Sequence, residues 1–93
     1  MRKEVTMKVS KVEIVPIRPN QGLVGFATVE IDKQLLLRAI GIHMRKDGSG
    51  YRLTYPTRSG GMHGDPLFHP ISPLLSKEIE RCVFSKAKEI FDY

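Results

Sequence analysis

Two long strand-like segments separated by a short turn constrain the fold of this chain more than any other feature. From Leu23 to Ile31 the side chains alternate between two faces, and this stretch has the clearest strand pattern in the sequence. Residues 34–44 form a second such segment, and Asp32-Lys33 between them is typical of a tight turn. Strands joined by so short a connection pair antiparallel. We therefore expect the fold to be built around an antiparallel hairpin.

The same alternation assigns the side chains of these strands to faces. In the first strand, one face is predicted to carry Leu23, Gly25, Ala27, Val29 and Ile31, and the other Val24, Phe26, Thr28 and Glu30. In the second strand, Leu35, Leu37 and Ala39 are predicted to oppose Leu36, Arg38, Ile40, Ile42 and Met44. Both faces of the second strand are largely apolar, which predicts a central position in the sheet.

Shorter patterns on either side extend the hairpin into a meander. Residues 9–17 are rich in β-branched residues and predict a strand, with Pro16 near its end or on a sheet edge. Residues 46–50 combine an Asp with two glycines, which indicates a turn. The segment Tyr51 to Tyr55 then predicts a fourth strand whose aromatic rings and Leu53 share a face. Because these rings share a face with Leu53, we interpret them as core residues.

The chain closes with a helix pattern. Ser72 is a good N-cap, and Pro73 suits the first helical position because its φ is preset. Apolar residues then recur at helical spacing, at Leu75, Ile79, Cys82, Val83, Ala87, Ile90 and Phe91. The sequence therefore predicts one α+β domain over residues 1–93: an antiparallel meander of about four strands followed by a C-terminal amphipathic helix. The two apolar faces of the 34–44 strand, and the broad apolar stripe of the helix, also predict a homodimer.

Composition narrows the class of protein further. Hydrophobic residues make up 41% of the chain and charged residues 27%, which is close to the globular average and argues against a disordered tail. Cys82 is the only cysteine and has no partner for an internal disulfide, which fits a reducing compartment. No signal-peptide pattern follows Met1, and the longest apolar run, Leu35 to Leu37, is far too short to cross a membrane. We expect a cytoplasmic protein without a membrane partner.

Positive charge is concentrated in the middle of the chain. The formal net charge is +5, and residues 33–64 hold six basic groups against Asp47 alone. Nucleic acid, an anionic membrane surface or an acidic protein would all be attracted to such a patch. The same charge would also arise in a small basic protein that uses it only to stay in solution.

The candidate binding residues are the cations of this middle segment: Arg38, Arg45, Lys46, Arg52 and Arg58. Arg and Lys neutralise phosphates, so these side chains are better candidates than the nearby tyrosines for contacting nucleic acid. The glycine-rich stretch 59–64 after Arg58 lacks the Walker pattern and has no helix directly after it. It is compatible with gripping a nucleic-acid backbone or with an ordinary surface loop.

Other reactive residue types do not combine into a convincing catalytic site. His63, Asp65 and His69 lie close together in sequence and could hold a transition metal, but no second pair of ligands completes a structural site. The alternative for His69, ahead of Pro70, is a ring that hydrogen-bonds loop backbone. Cys82 lies on the apolar stripe of the helix, where a free cysteine is usually a small core residue. We predict a protein without enzymatic activity, metal, cofactor or small-molecule substrate.

Four stretches, in this order and at nearly this spacing, resemble the SpoVG family, the stage V sporulation protein G or septation regulator group. They are Gly22 to Asp32, Leu35 to Met44, Gly50 to Arg58, and Phe68-His-Pro-Ile71 followed by a helix. The resemblance runs from about Val9 to Phe91. It implies a small α+β dimer on an antiparallel sheet that binds DNA, and in some members RNA, as a regulator.

The resemblance also assigns a site residue. Arg58 matches the basic residue that opens the positively charged loop of the family. This chain has Ser59-Gly60-Gly61 where the family carries further Lys or Arg, and His43 where the family often carries Arg. Arg45, Lys46 and Arg52 are added to the site from their charge alone. The alternative function is a protein-interaction module of a cell-division or regulatory complex, in which the basic patch meets an acidic protein surface.

Overall fold

A four-stranded antiparallel sheet is followed along the chain by a single helix. The computed structural model describes residues 7–57 and 66–91, and the elements are β1 (Val9–Asn20), β2 (Leu23–Ile31), β3 (Leu35–Met44), β4 (Tyr51–Thr54) and α1 (Pro73–Phe91). The strand order in the sheet is β1-β2-β3-β4, so every strand pairs with its neighbour in sequence. The predicted α+β meander with a C-terminal helix is confirmed.

The first strand is longer than its pattern predicted. β1 continues past residue 17 to Asn20, and Pro16 lies within it, paired with Gly25 of β2. β1 is an edge strand, and an edge position tolerates a proline because no strand lies beyond it to need its missing N–H. β4 ends at Thr54, one residue earlier than predicted.

The turn between β2 and β3 has the geometry that its sequence predicts. Asp32 and Lys33 both adopt positive φ, at 52° and 58°, and the Gln34 N–H donates to the Ile31 carbonyl over 2.8 Å. Two successive residues with positive φ match the right-handed twist of the paired strands. The Asp32 side chain adds a bond to the residue directly before β1, because its Oδ1 accepts from the Lys8 N–H at 3.1 Å.

A β-bulge at Arg38 and Ala39 interrupts β3. The register pairs on its two sides are Val29 with Leu37 and Ala27 with Ile40. Two residues of β3 therefore lie opposite Thr28 alone, and Ala39 takes a φ of 64°. One extra residue reverses the alternation of every residue that follows it.

The bulge corrects the predicted faces of β3. Leu35 and Leu37 were assigned to the face opposite Ile40 and Ile42, and that assignment is wrong. Through their β2 partners all four lie on one face of the sheet, and Ile40 and Ile42 are fully buried there. Strict period-two alternation cannot locate a bulge, which explains the error.

A second irregularity corrects β2. Leu23 pairs with His43 while Gly25 pairs with Ile42, so Val24 is the additional residue. Leu23 consequently lies on the same side as His43, next to Gly41, and Val24 belongs to the buried core instead. The prediction that Leu23 shares a face with Gly25 is wrong for the same physical reason.

Helix α1 covers one face of the sheet. Its first turn is capped as predicted, because the Leu75 N–H donates to Ser72 Oγ at 3.3 Å and Pro73 is the first helical residue. The fully buried side chains of the sheet and helix are Ala27, Val29, Ile31, Ile40, Ile42, Ile79, Val83 and Ala87. We call this side of the sheet the helix face, and the opposite side the open face.

Aromatic rings extend the core at both ends of α1. Tyr51 contacts Phe84 and Phe91, with ring centroids 6.2 Å apart in each pair, and Tyr55 meets Phe68 edge-on at 6.0 Å. The interpretation of the two tyrosines as core residues is confirmed. Among residues 7–57 and 66–91 there is no helix that is both long enough and apolar enough to cross a bilayer.

Candidate nucleic-acid interface

Backbone hydrogen bonds fix the turn between β3 and β4. The Arg45 N–H donates to the Gly50 carbonyl at 2.8 Å, and the Gly48 N–H donates to the Arg45 carbonyl at 2.9 Å. Gly48 and Gly50 adopt φ values of 75° and 152°, which favour glycine. The ordered turn holds Arg45 and Lys46 at one end of the sheet, with both side chains exposed.

Arg52 lies on the open face of the adjoining strand. It pairs with His43 of β3, and its side chain is exposed. His43 is two residues before Arg45 along β3, so the three predicted cations Arg45, Lys46 and Arg52 belong to one hairpin. Arg38, which was also a candidate on charge, lies apart from them at the β3 bulge, where it is exposed.

His43 and Thr54 form a polar pair beside Arg52. The His43 Nε2 and Thr54 Oγ1 atoms are 3.0 Å apart. Partial burial, and then the positive charge of Arg52, lower the pKa of the His43 imidazole. His43 is therefore neutral at pH 7, and Arg52 carries the charge at this point of the open face.

The hairpin cations have no carboxylate partner within residues 7–57 and 66–91. Ion pairs there join Lys11 to Glu13 at 3.1 Å and Arg81 to Glu78 at 2.9 Å. The acid of the turn is Asp47, whose Oδ1 accepts from the Ser49 N–H at 2.9 Å. Hydrogen bonds from Ser49 are the main reason that the pKa of Asp47 is lowered, and the charge of Arg45 contributes less. The cations remain available to an external anion.

Several of the binding and metal-site candidates predicted from the sequence lie outside the part of the chain that the structure describes. Arg58 is one of them, and so are His63 and Asp65 of the candidate metal set. Thr57, the last described residue before Arg58, forms an isolated antiparallel bridge with Pro66. No group of three His, Cys, Asp or Glu side chains with metal-site geometry occurs among the described residues.

His69 and Cys82 have structural surroundings. His69 Nδ1 lies 3.2 Å from the Pro70 carbonyl, which is the loop contact expected of it as an alternative to metal binding. The Cys82 Sγ donates to Glu78 Oε2 at 3.7 Å. Burial, and then the charge of Glu78, raise the pKa of the Cys82 thiol, which disfavours the thiolate that a nucleophile requires.

A cleft beside the β3–β4 turn was not foreseen from the sequence. It has a volume of about 370 Å³ and lies between the turn and the C-terminal half of α1, where Phe84 and Lys88 line it. The spacing of Phe84 and Lys88 places both on one side of a helix. From this spacing the sequence predicts that Phe84 and Lys88 share a helix face. It does not predict that the β3–β4 turn packs opposite that face, so the cleft itself could not be predicted.

The open face itself carries exposed apolar side chains. Val15, Phe26 and Leu36 come from three different strands, and each is exposed. They lie on one side of the sheet, because Val15 pairs with Phe26 and Leu36 pairs with Glu30, four residues further along β2. Such a surface is typical of a protein contact.

Comparisons with known proteins add no relative to this description. The chain matches no family model, and no curated protein matches it.

Proposed function

We propose that this protein binds nucleic acid, DNA or RNA, as a small regulator of the kind that the SpoVG resemblance implies. The observation that supports this most is the grouping of Arg45, Lys46 and Arg52 on one hairpin without a carboxylate partner in the described chain. Exposed cations that neutralise phosphate groups release the counterions condensed on the nucleic acid, and this release favours binding. Because the hairpin cations have no ion pair within the described chain, no such pair has to break first. We propose that the protein acts by binding and not by catalysis.

Arg58 belongs to the proposed interface by resemblance. Arg58 lies outside the described residues, and in the sequence it directly follows Thr57, the last described residue of that segment. If Arg58 contacts one phosphate, Arg58→Ala lowers the affinity and reduces the salt dependence by about one unit of slope. An unchanged slope would remove Arg58 from the interface.

We further propose that two copies associate through the open face. Its exposed apolar side chains, Val15, Phe26 and Leu36, leave a surface that a second copy would bury. In a two-fold dimer each hairpin is present twice, so the dimer carries twice the number of hairpin cations. A monomer at micromolar concentration in sedimentation equilibrium would contradict this part of the proposal.

The test of the proposed function is fluorescence anisotropy with labelled duplex and single-stranded oligonucleotides at about 50 and 200 mM salt. We expect tight binding at the lower salt and a large loss at the higher. No binding at the lower salt would contradict the proposal.

The second candidate function is a protein-interaction module, which the exposed apolar residues of the open face favour. Its basic hairpin would then meet an acidic protein surface. The two functions differ in what accompanies the protein through purification. Co-purified nucleic acid raises the ratio of absorbance at 260 and 280 nm under the first function and not under the second.

A further inference from the structure

The cleft between the β3–β4 turn and α1 combines an aromatic floor with a bare backbone wall. Tyr51 and Phe84 line the floor, with ring centroids 6.2 Å apart and planes tilted by 39°. Because Tyr51 is only 7% exposed, the partly buried Phe84 supplies most of the ring surface that a ligand reaches. Gly48 and Gly50 form part of the wall, and a Cβ added to either would meet no heavy atom within 4 Å. The space over these glycines is therefore open to a ligand.

Positive charge surrounds this cleft. Lys88, in the last turn of α1, lines it directly and is exposed. Arg45 and Lys46 belong to the same turn that supplies the backbone wall, and Asp47, the acid of that turn, is held by Ser49. A flat apolar group that enters the cleft would thus have its anionic substituent near cations.

Size and chemistry together define the occupant. At about 370 Å³ the cleft is at the lower end of the range, roughly 300–1,000 Å³, that small-molecule sites occupy. Aromatic rings accept any base by stacking, and cations bind the phosphates on either side of it. A base within a paired duplex has both of its faces covered by its neighbours and cannot enter.

We propose that this cleft holds one unpaired nucleobase, with the adjoining phosphates on Lys88 and Arg45, and that the protein consequently prefers single-stranded nucleic acid to duplex. This inference rests on the proposed function and narrows it to a class of ligand. Duplex binding would use the hairpin cations alone, whereas a single strand would add one stacked base to the same phosphate contacts.

The test uses a single-stranded oligonucleotide with 2-aminopurine at one position, its duplex, and the same strand with an abasic site at that position. Stacking quenches 2-aminopurine, so we expect its emission to fall on binding. We expect the intact single strand to bind at least about fivefold more tightly than the duplex or the abasic strand, the lower limit for one stacked base. The abasic strand lacks only the base and keeps its phosphates. It therefore measures the contribution of that base to the affinity without any substitution in the protein.

Two variants test whether the quenching of 2-aminopurine arises in the cleft. Phe84→Leu keeps an apolar side chain but removes the ring, and Met44→Ala changes a partly exposed residue of the cleft mouth, which can be altered without touching the buried core. We expect both to reduce the quenching while the salt slope stays unchanged, because neither alters a charge. Circular dichroism verifies that each variant is folded.

The possible results separate the two proposals. Binding with equal affinity for all three oligonucleotides, or quenching that neither variant reduces, would overturn the base cleft and leave the proposed function standing. Failure of every oligonucleotide to bind at low salt would overturn both.

Discussion

The two faces of this sheet differ in how deeply their side chains are buried and in whether they carry charged groups. The helix face is lined by fully buried aliphatic residues, and α1 packs on it with Ile79, Val83 and Ala87. The open face mixes exposed apolar residues, such as Phe26 and Leu36, with polar and charged groups, and Arg52 lies at its hairpin end. One sheet therefore separates the residues that stabilise the fold from those available to a partner.

The buried residues of the helix face account for stability, and the proposed binding uses other residues, on the open face and the hairpin. Substitutions on the helix face should unfold the protein without changing its binding surface. Substitutions of the exposed residues on the open face or the hairpin should change association while the fold persists. Gly41 is the exception on the open face, because it is buried.

Ile79→Ala should have the largest effect. The Ile79 side chain is fully buried between α1 and the sheet, so truncating it leaves a cavity and costs about 2–5 kcal/mol of the free energy of unfolding. Urea unfolding measures the loss. Leu74→Ala is the control on the same helix, since Leu74 is 79% exposed and should change stability by less than about 0.5 kcal/mol. Equal losses in the two variants would contradict the assignment of the helix face.

Leu36→Ser should weaken self-association. Leu35 and Leu36 are adjacent and each is 49% exposed, but they lie on opposite faces of the sheet. If a second copy covers the open face, Leu36→Ser costs each subunit up to about 1.5–3 kcal/mol of association, and Leu35→Ser costs little. Sedimentation equilibrium of both variants decides the matter. A dimer that Leu35→Ser weakens as much would place the interface elsewhere.

Gly41→Ala should destabilise the protein from the open face. A Cβ on Gly41 would lie 2.6 Å from Thr54 Oγ1, which is also the partner of His43. Relieving that overlap means moving a short side chain, so we expect a loss of about 1–3 kcal/mol by urea unfolding. Thr54→Ala removes the obstructing atom, and the double variant should recover part of the loss. Strictly additive losses would show that the contact is not the cause.

His43 should make the smallest contribution, seen only in the pH dependence of stability. Because burial and Arg52 lower its pKa in the folded protein, the unfolded chain takes up the proton first as the pH falls below about 6.5. The free energy of unfolding therefore declines as the pH falls from there to the lowered folded pKa. His43→Gln should flatten that decline in urea titrations between about pH 7 and 5. An equal decline in the variant would exclude His43 as its source.

Much of the fold was predictable because it follows local rules. The Asp32-Lys33 turn, the Ser72 cap and the apolar spacing of α1 each depend on neighbouring residues, and the structure agrees with all three. The faces of β2 and β3 were predicted only in part, because the bulges at Val24 and Ala39 are set by pairing between strands. Ala39 has a positive φ although it is not a glycine, so the sequence does not predict a bulge at this position.

The site was predictable to a lesser degree. Charge counting selected Arg45, Lys46 and Arg52, and their common position on one hairpin follows from the predicted turn at residues 46–50. The cleft beside them depends on how α1 crosses the sheet. That packing places Phe84 next to Tyr51 and cannot be deduced from the spacing of either segment.

We propose that the hairpin cations contact phosphates, and the salt dependence of oligonucleotide binding measures the number of such contacts. The charge-removing pair Arg45→Gln and Lys46→Gln is compared with Lys33→Gln, which removes one exposed cation from the turn at the opposite end of β3. Each lost phosphate contact lowers the slope of log affinity against log salt by roughly 0.7–0.9. We expect the slope to fall by up to about two such steps in the double variant and to stay unchanged in Lys33→Gln. Unchanged slopes in both, or an equal change per charge removed, would contradict a specific interface at the hairpin.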